Sequence, residues 1–313
     1  LDLGILWLRT GEVMKSDRHI KQLIAENAGI PGRIKYASDY LTSKSLLDYA
    51  ILCLVESRKV FKTESIYALE LANLYRYKSD RQKMAEEYLN YATQNLGNIQ
   101  YIKSLLQVML TKPEELEELE KILLSKVQTD PSNEVYSDLL IWLSLQQKNF
   151  TTAFIQARAY DRRYKTQGER CMEVADVALK NKEYQTASQI YQYIYKTFTD
   201  VEINRSALLG SIQSREAFYR NEPSLPIDSI KKLVKDYQSF IDNNLPQAAA
   251  FEATRNKAML QAEILNELEN AQQQLINLIN NPQIPQTIKA KSKIDLADLY
   301  LINNEPWESA LLY

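Results

Sequence analysis

Glycine is scarce in this chain, with seven residues in 313. Folds built from hairpins need more turn formers than this, and there is no Asn-Gly or Asp-Gly pair to start one. Histidine is scarcer still: His19 is the only one. One imidazole cannot make a histidine metal cluster, and no Ser-His-Asp or Cys-His arrangement assembles around it, so it reads as a helical surface residue. Cysteine occurs twice, at Cys53 and Cys171, far apart and outside any Cys-x-x-Cys pair. Both read as small buried hydrophobes that do not fix a redox compartment. A Walker loop and a Gly-x-Gly-x-x-Gly turn are missing, so nucleotide binding lacks its usual phosphate cradle. No apolar run approaches the roughly 18 residues that would span a membrane. Nor is there an excess of positive charge: 38 basic residues face 40 acidic ones, a net charge of −2. That balance gives no broad field to hold a phosphate backbone, which argues against nucleic acid as the main partner.

What the chain has is tyrosine, 20 residues of it, with 45% apolar and 25% charged residues overall. Those proportions are normal for a folded globular chain and exclude low-complexity disorder. The rings are expected in half-buried seams, with their hydroxyls reaching water.

The apolar pattern repeats. Ser16, Ala50, Met84, Glu118, Ala153 and Ala187 follow one another at spacings of 34, 34, 34, 35 and 34 residues. Glu118 fits by position rather than chemistry. Around these positions the same grammar returns. Leu71-Ala72 precedes Tyr75, Met84, Tyr88 and Tyr91; Val174-Ala175 precedes Tyr184, Ala187, Tyr191 and Ile194; Leu296-Ala297 precedes Tyr300, Trp307 and Ala310. A small residue in one helix lets the next approach, and large residues three or four apart fill the seam. The pattern predicts nine helical pairs, at 1–27, 31–60, 63–95, 97–129, 132–165, 167–198, 201–244, 246–281 and 285–313. Asp130-Pro131 reads as a helix start, Thr111-Lys112-Pro113-Glu114 as a capping box. "NEPSLP" (221–226), "NNLP" (243–246) and "NNPQIP" (280–285) read as breaks between helices.

With these motifs in place, the chain resembles the tetratricopeptide-repeat family. The match is best at residues 1–27, 67–92, 169–198 and 290–313, and "NKEYQTASQIYQYIY" is its most specific stretch. The resemblance implies an all-α fold, a right-handed superhelical solenoid of about nine antiparallel helix pairs. Residues 1–198 form an array of roughly 34-residue units, and 201–313 continue it with longer, degenerate ones. "LDLGILWLRTG" looks like the middle of a helix and "PWESALLY" stops while an apolar pattern is running, so the chain is expected to be part of a longer protein.

In that family the first helices line a concave face that holds peptides or partner domains. The first-helix residues here that fill no packing slot are Asn73, Arg76, Tyr77, Lys103, Gln107, Trp142, Asp176 and Lys180. Trp142 stands out as a hot-spot type, with a core seam as the competing reading. The family's clamp for a terminal carboxylate pairs Asn with Lys or Arg at matching slots. Asn73 has Leu69 one turn before it, so the clamp is absent. Other candidates have plainer readings. "EELEELEK" (114–121) reads as a helix N-terminus with a solvated acidic face, its Leu116 and Leu119 inward. "ARAYDRRYK" (157–165), with Arg158, Arg162, Arg163 and Lys165, reads as the cationic end of a helix. Tyr191 and Ile194 fall on core slots, while Tyr193 and Tyr195 are less constrained. Asn149-Phe150-Thr151 and Asn204-Arg205-Ser206 fit the glycosylation sequon and carry no weight without a secreted context.

These readings converge on a non-enzymatic scaffold that binds a protein or peptide partner, without cofactor or metal. Degenerate repeats rich in Tyr, Asn, Gln and Lys resemble those of bacterial cell-envelope proteins. That resemblance implies a periplasmic or outer-membrane-associated place, with no transmembrane segment in these residues and with the cytoplasm as the alternative. Two other readings stay open: an array attached to a catalytic domain elsewhere in a longer protein, and an RNA-binding helical repeat, which the charge balance disfavours.

Overall fold

A computed structural model describes residues 1–222 and 227–313. In chain order the helices are α1 (Asp2–Arg9), α2 (Val13–Asn27), α3 (Pro31–Ser43), α4 (Leu47–Phe61), α5 (Ala68–Tyr77), α6 (Arg81–Ala92), α7 (Asn98–Met109), α8 (Pro113–Thr129) and α9 (Glu134–Gln146). There follow α10 (Phe150–Tyr164), α11 (Glu169–Lys180), α12 (Tyr184–Thr197), α13 (Val201–Arg220), α14 (Ile227–Asn244), α15 (Ala248–Glu263), α16 (Leu268–Asn280), α17 (Gln286–Ile302) and α18 (Pro306–Leu312). No strand occurs among the described residues. The eighteen helices of the described residues make nine helix–turn–helix pairs of tetratricopeptide-like type, within a few residues of the limits that the repeat predicts. The breaks at 243–246 and 280–285 fall between helices; of "NEPSLP", Asn221 closes α13 and residues 223–226 lie outside the described residues.

The pairing rests on two slots twelve residues apart, one on each helix. Gly4 and Ser16 occupy them in the first pair, Ser38 and Ala50 in the second, Ala72 and Met84 in the third, and all six are buried. Ala175 with Ala187 and Ala297 with Ser309 repeat the arrangement further on. Small side chains here let two helix backbones close on one another. In the first two pairs the contact is also a hydrogen bond. Ser16 Oγ donates to the Gly4 carbonyl at 2.6 Å, and Ser38 Oγ donates to the Ala50 carbonyl at 3.0 Å. The same two slots are thus joined with the donor on opposite helices. In the fourth pair Glu118 is exposed, and Leu119 and Leu123 take the buried seats against Ile102 and Leu106.

The chain divides into two compact units, Leu1–Leu143 and Ser144–Tyr313, with the division inside α9. The first unit holds a core of Ile20, Ile34, Leu41, Cys53, Leu54 and Leu71, and another built on Tyr88, Leu89, Ile102, Leu106, Leu123 and Leu139. Each such aliphatic side chain contributes about 1.5–3 kcal/mol by leaving water. Four ion pairs stitch successive pairs together with the cation on the earlier one. Arg58 grips Glu87 through two bonds of 2.6 Å. Lys35 meets Glu70 at 2.9 Å, Arg81 meets Glu115 at 2.9 Å, and Lys103 meets Asp138 at 2.6 Å. Lys78 and Asp48, at the surface, run the other way.

In the second unit, one core gathers Leu209, Ile212, Ile230, Leu233, Tyr237 and Phe240, another Ala258, Ala271, Leu275, Leu296 and Leu299. Asp161, buried on α10, accepts the Arg170 and Cys171 backbone N–H groups at 3.1 and 3.0 Å, so a carboxylate from one helix satisfies the start of another, α11. Gly210 lies so close to α12 that a Cβ there would stand 2.7 Å from the Tyr191 ring. Arg220–Glu263 and Arg255–Asp295 again place the cation first.

Several local expectations are corrected. Asp130 closes α8 rather than opening α9; the next helix begins at Glu134, where Asn133 Oδ1 accepts the Val135 N–H at 3.2 Å. Proline therefore sits in the connecting turn. The capping carboxylate of α8 is Glu115, not Glu114: it accepts from the Thr111 and Lys112 N–H groups at 3.1 and 3.2 Å. Glu115 is consequently buried, unlike the rest of its acidic run, and those bonds hold its carboxyl below the usual range. His19 is half-buried and meets the Trp7 ring edge-on at 5.3 Å. Arg158 does not end the helix as a free cation. It lies over the rings of Phe154 and Tyr193, at 5.4 and 4.6 Å.

Candidate partner-binding surfaces

α5 buries Leu71, Ala72 and Leu74 and so turns Asn73, Arg76 and Tyr77 to solvent. Tyr77 is 61% exposed, an unusual exposure for an aromatic ring, and the Arg76 guanidinium lies 5.5 Å from its centre. The stack holds the ring in place without hiding it. Gln107 on α7 is 34 residues beyond Asn73, in the same slot of the next first helix, and it too is exposed. Val108 and Tyr101 on α7 are also largely exposed.

Of the remaining candidates, Lys103, Trp142 and Asp176 are engaged. Lys103 is drawn into its bond with buried Asp138, with 16% of its side chain accessible. Trp142 is half-buried and packs on the core shared by α7 and α8. In the second unit Asp176 accepts the Tyr191 hydroxyl at 2.5 Å, and burial together with this bond holds the phenol well above its ordinary range. Lys180 is exposed in the last turn of α11, where a cation complements the helix dipole. Asn73, Arg76, Tyr77 and Gln107 are thus the members of the set that reach solvent in the first unit without structural duty there, while Lys103 and Asp176 serve packing.

Neither cysteine is placed for chemistry. Burial pushes the Cys53 thiol up to about 12, and burial with Asp161 raises Cys171 further. No group of three or more His, Cys, Asp or Glu converges as a metal site among the described residues. No helix is long and apolar enough to cross a membrane among the described residues.

Sequence reasoning did not find a cleft of about 570 Å³ in the second unit, between α13 and α14. Leu208, Ile212 and Phe240 make its apolar floor. At one end Arg205 Nε donates to Asn244 Oδ1 at 2.9 Å; at the other Arg215 Nη1 donates to Asp236 Oδ2 at 2.8 Å. The rim carries Asn204, Asn243, Ser239 and Tyr195. The signal for it was the length of α13 and α14, 20 and 18 residues, together with a polar stripe at Asn204, Arg205 and Arg215.

No protein-family model matches the chain, and neither does any curated protein sequence. Among solved structures it is similar to the apo form of the quorum sensor NprR from B. thuringiensis, at 13% identity over 100% of this chain and 95% of that one, with a TM-score of 0.40. A tetratricopeptide repeat protein from Parabacteroides merdae is 13% identical over 86% of this chain and 98% of its own, TM-score 0.34. Pseudomonas aeruginosa PilF is 17% identical over 73% and 97%, TM-score 0.29. The repeat character of this chain stands on its own slots and helix pairs.

Proposed function

We propose that this chain is a non-enzymatic interaction module that holds a peptide or partner protein on the first-helix face of its first unit. The supporting observation is the fixed, exposed Tyr77 beneath Arg76, with Asn73 beside it and Gln107 in the matching slot of α7. A rigid amphipathic ring flanked by a cation and amides is the composition of a binding hot spot. In a superhelical stack of first helices this is the face turned inward. Because Lys103 is committed to Asp138, the face offers Arg76 as its available cation and selects a partner by aromatic and amide contacts rather than by a carboxylate clamp. We place the module in a bacterial cell-envelope or secretion assembly on the character of its degenerate repeats.

The test is affinity capture from native extract with the 313-residue chain and with a Tyr77→Ala, Gln107→Ala variant, both verified as helical by circular dichroism. One partner enriched on the natural chain and lost about tenfold from the variant is the expected result, as the loss of one hot spot would give. Equal capture by both chains overturns the assignment of the face.

A further inference from the structure

We propose that the surface shared by α10 and α12 is a further binding site, one that takes an acidic stretch of a partner polypeptide on the stacked guanidinium of Arg158. It lies in the second unit, on helices that the α5–α7 face does not use, and stands independently of that face.

Arg158 is an exception among the half-buried arginines of the described residues. Arg58, Arg170, Arg205, Arg215 and Arg255 each reach a carboxylate, those of Glu87, Glu173, Glu202, Asp236 and Asp295. Arg158 reaches none and makes no hydrogen bond among the described residues. It meets the rings of Phe154 and Tyr193, with its guanidinium 5.4 and 4.6 Å from their centres. Its Nε is shielded from solvent, whereas Nη1 and Nη2 stay accessible. A planar donor edge held in place by stacking is pre-organised for a bidentate carboxylate. The helix dipole does not account for it. Arg162 and Arg163 occupy the last turn of α10, and Arg158 lies before that turn.

The charges around it carry one sign. α10 and α12 expose Arg162, Arg163 and Lys196, and no carboxylate. Their one acidic residue, Asp161, is buried and accepts the first N–H groups of α11. In a chain of net charge −2 this is a local reversal, and an acidic partner complements it. Arg162 stands one turn beyond Arg158, about 6 Å away between Cβ atoms, a spacing at which like charges repel and an anion relieves them. Side chains at alternate residues of an extended peptide share one side and lie about 6.5 Å apart, so two glutamates so placed match the two guanidinium groups. Ile155, one turn before Arg158 and 55% exposed, adds an aliphatic contact. A compact phosphate fits less well. Phosphate sites draw on backbone N–H groups at a helix N-terminus, whereas these cations lead towards the free carbonyls at the other end of α10.

The test titrates the full chain, with 13C-labelled Ile methyl groups, with N-acetyl-Leu-Ser-Glu-Ser-Glu-amide, whose blocked ends leave its side chains as its only carboxylates. Saturable shifts at Ile155 are expected. The peptide with glutamine at both glutamates, added to the same unchanged chain, is expected to bind about tenfold more weakly. Arg158→Gln is expected to lose about tenfold, and Arg158→Lys, which keeps the charge without the planar fork, about threefold. Circular dichroism checks that both remain helical. Arg9→Gln, at an exposed arginine of the first unit, is expected to bind as the natural chain does. The proposal is overturned if the Ile155 methyls stay unmoved, if the glutamine peptide binds equally, if Arg158→Lys loses nothing, if Arg9→Gln loses as much as Arg158→Gln, or if inorganic phosphate at equal concentration displaces the peptide.

Discussion

The pairs α1–α2 and α3–α4 close where α13–α14 opens, and the small residues explain the contrast. Gly4, Ser16, Ser38 and Ala50 point into their own pair, and serine–carbonyl bonds draw its two helices together. On α13 the glycine faces backwards: Gly210 receives the Tyr191 ring of α12. The close approach has moved from within a pair to between two pairs. α13 is held to its predecessor, α14 meets it through large side chains such as Ile230, Leu233 and Tyr237, and a cleft remains alongside. The same kind of residue therefore seals or opens a helix pair according to which neighbour it faces.

The contrast can be broken most severely at the joints between pairs. Arg58→Ala leaves Glu87 buried without its partner and is expected to destabilise the first unit by about 3 kcal/mol in chemical denaturation. Next is a matched pair of glycine replacements. Gly210→Ala drives a methyl group into three atoms of a ring pinned by its bond to Asp176, whereas Gly4→Ala meets one aliphatic side chain, Ile20, at Cγ1 and Cδ1. Both gain the same helix propensity, so their difference isolates the contact. Gly210→Ala is expected to cost about 2 kcal/mol and Gly4→Ala less than half as much. Equal losses would mean that the direction of the glycine does not matter. Ser38→Ala, which removes one interhelix bond, is expected to cost about 1 kcal/mol. The smallest effect is a pH dependence at Glu115. Its folded carboxyl titrates below the ordinary value of 4.5, so its contribution is complete above that value and is lost as the pH falls through the lowered one. Melting curves of Glu115→Gln and the natural chain should differ at neutral pH and converge in acid.

The pairs were legible because a 34-residue period survives individual misfits: Glu118 breaks the chemistry of its slot, yet Leu119 fills the seat. Caps were less legible. Asp130 and Glu114 were each a plausible capping residue, and the true ones, Asn133 and Glu115, lie close by, chosen by which oxygen reaches an unpaired N–H. The surroundings of the candidate residues were legible only in part. Exposure of Asn73, Arg76 and Tyr77 followed from helical periodicity, whereas the bond from Lys103 to Asp138 joins residues 35 apart in sequence and belongs to tertiary structure. The cleft was hidden for the same reason, since no local pattern states which way Gly210 faces.

The ion pairs between repeats carry a consequence for how such a chain changes over generations. The third pair meets the second with Glu70 and Glu87 and offers Arg81 to the fourth, which answers with Glu115 and offers Lys103 onward. Each of these four bonds is a plug on the earlier pair and a socket on the later one. A duplicated pair inherits both, so it can be inserted beside its parent and find its charges matched at once. A lineage can then lengthen or shorten the array by whole pairs, and point changes in the exposed residues can follow at leisure.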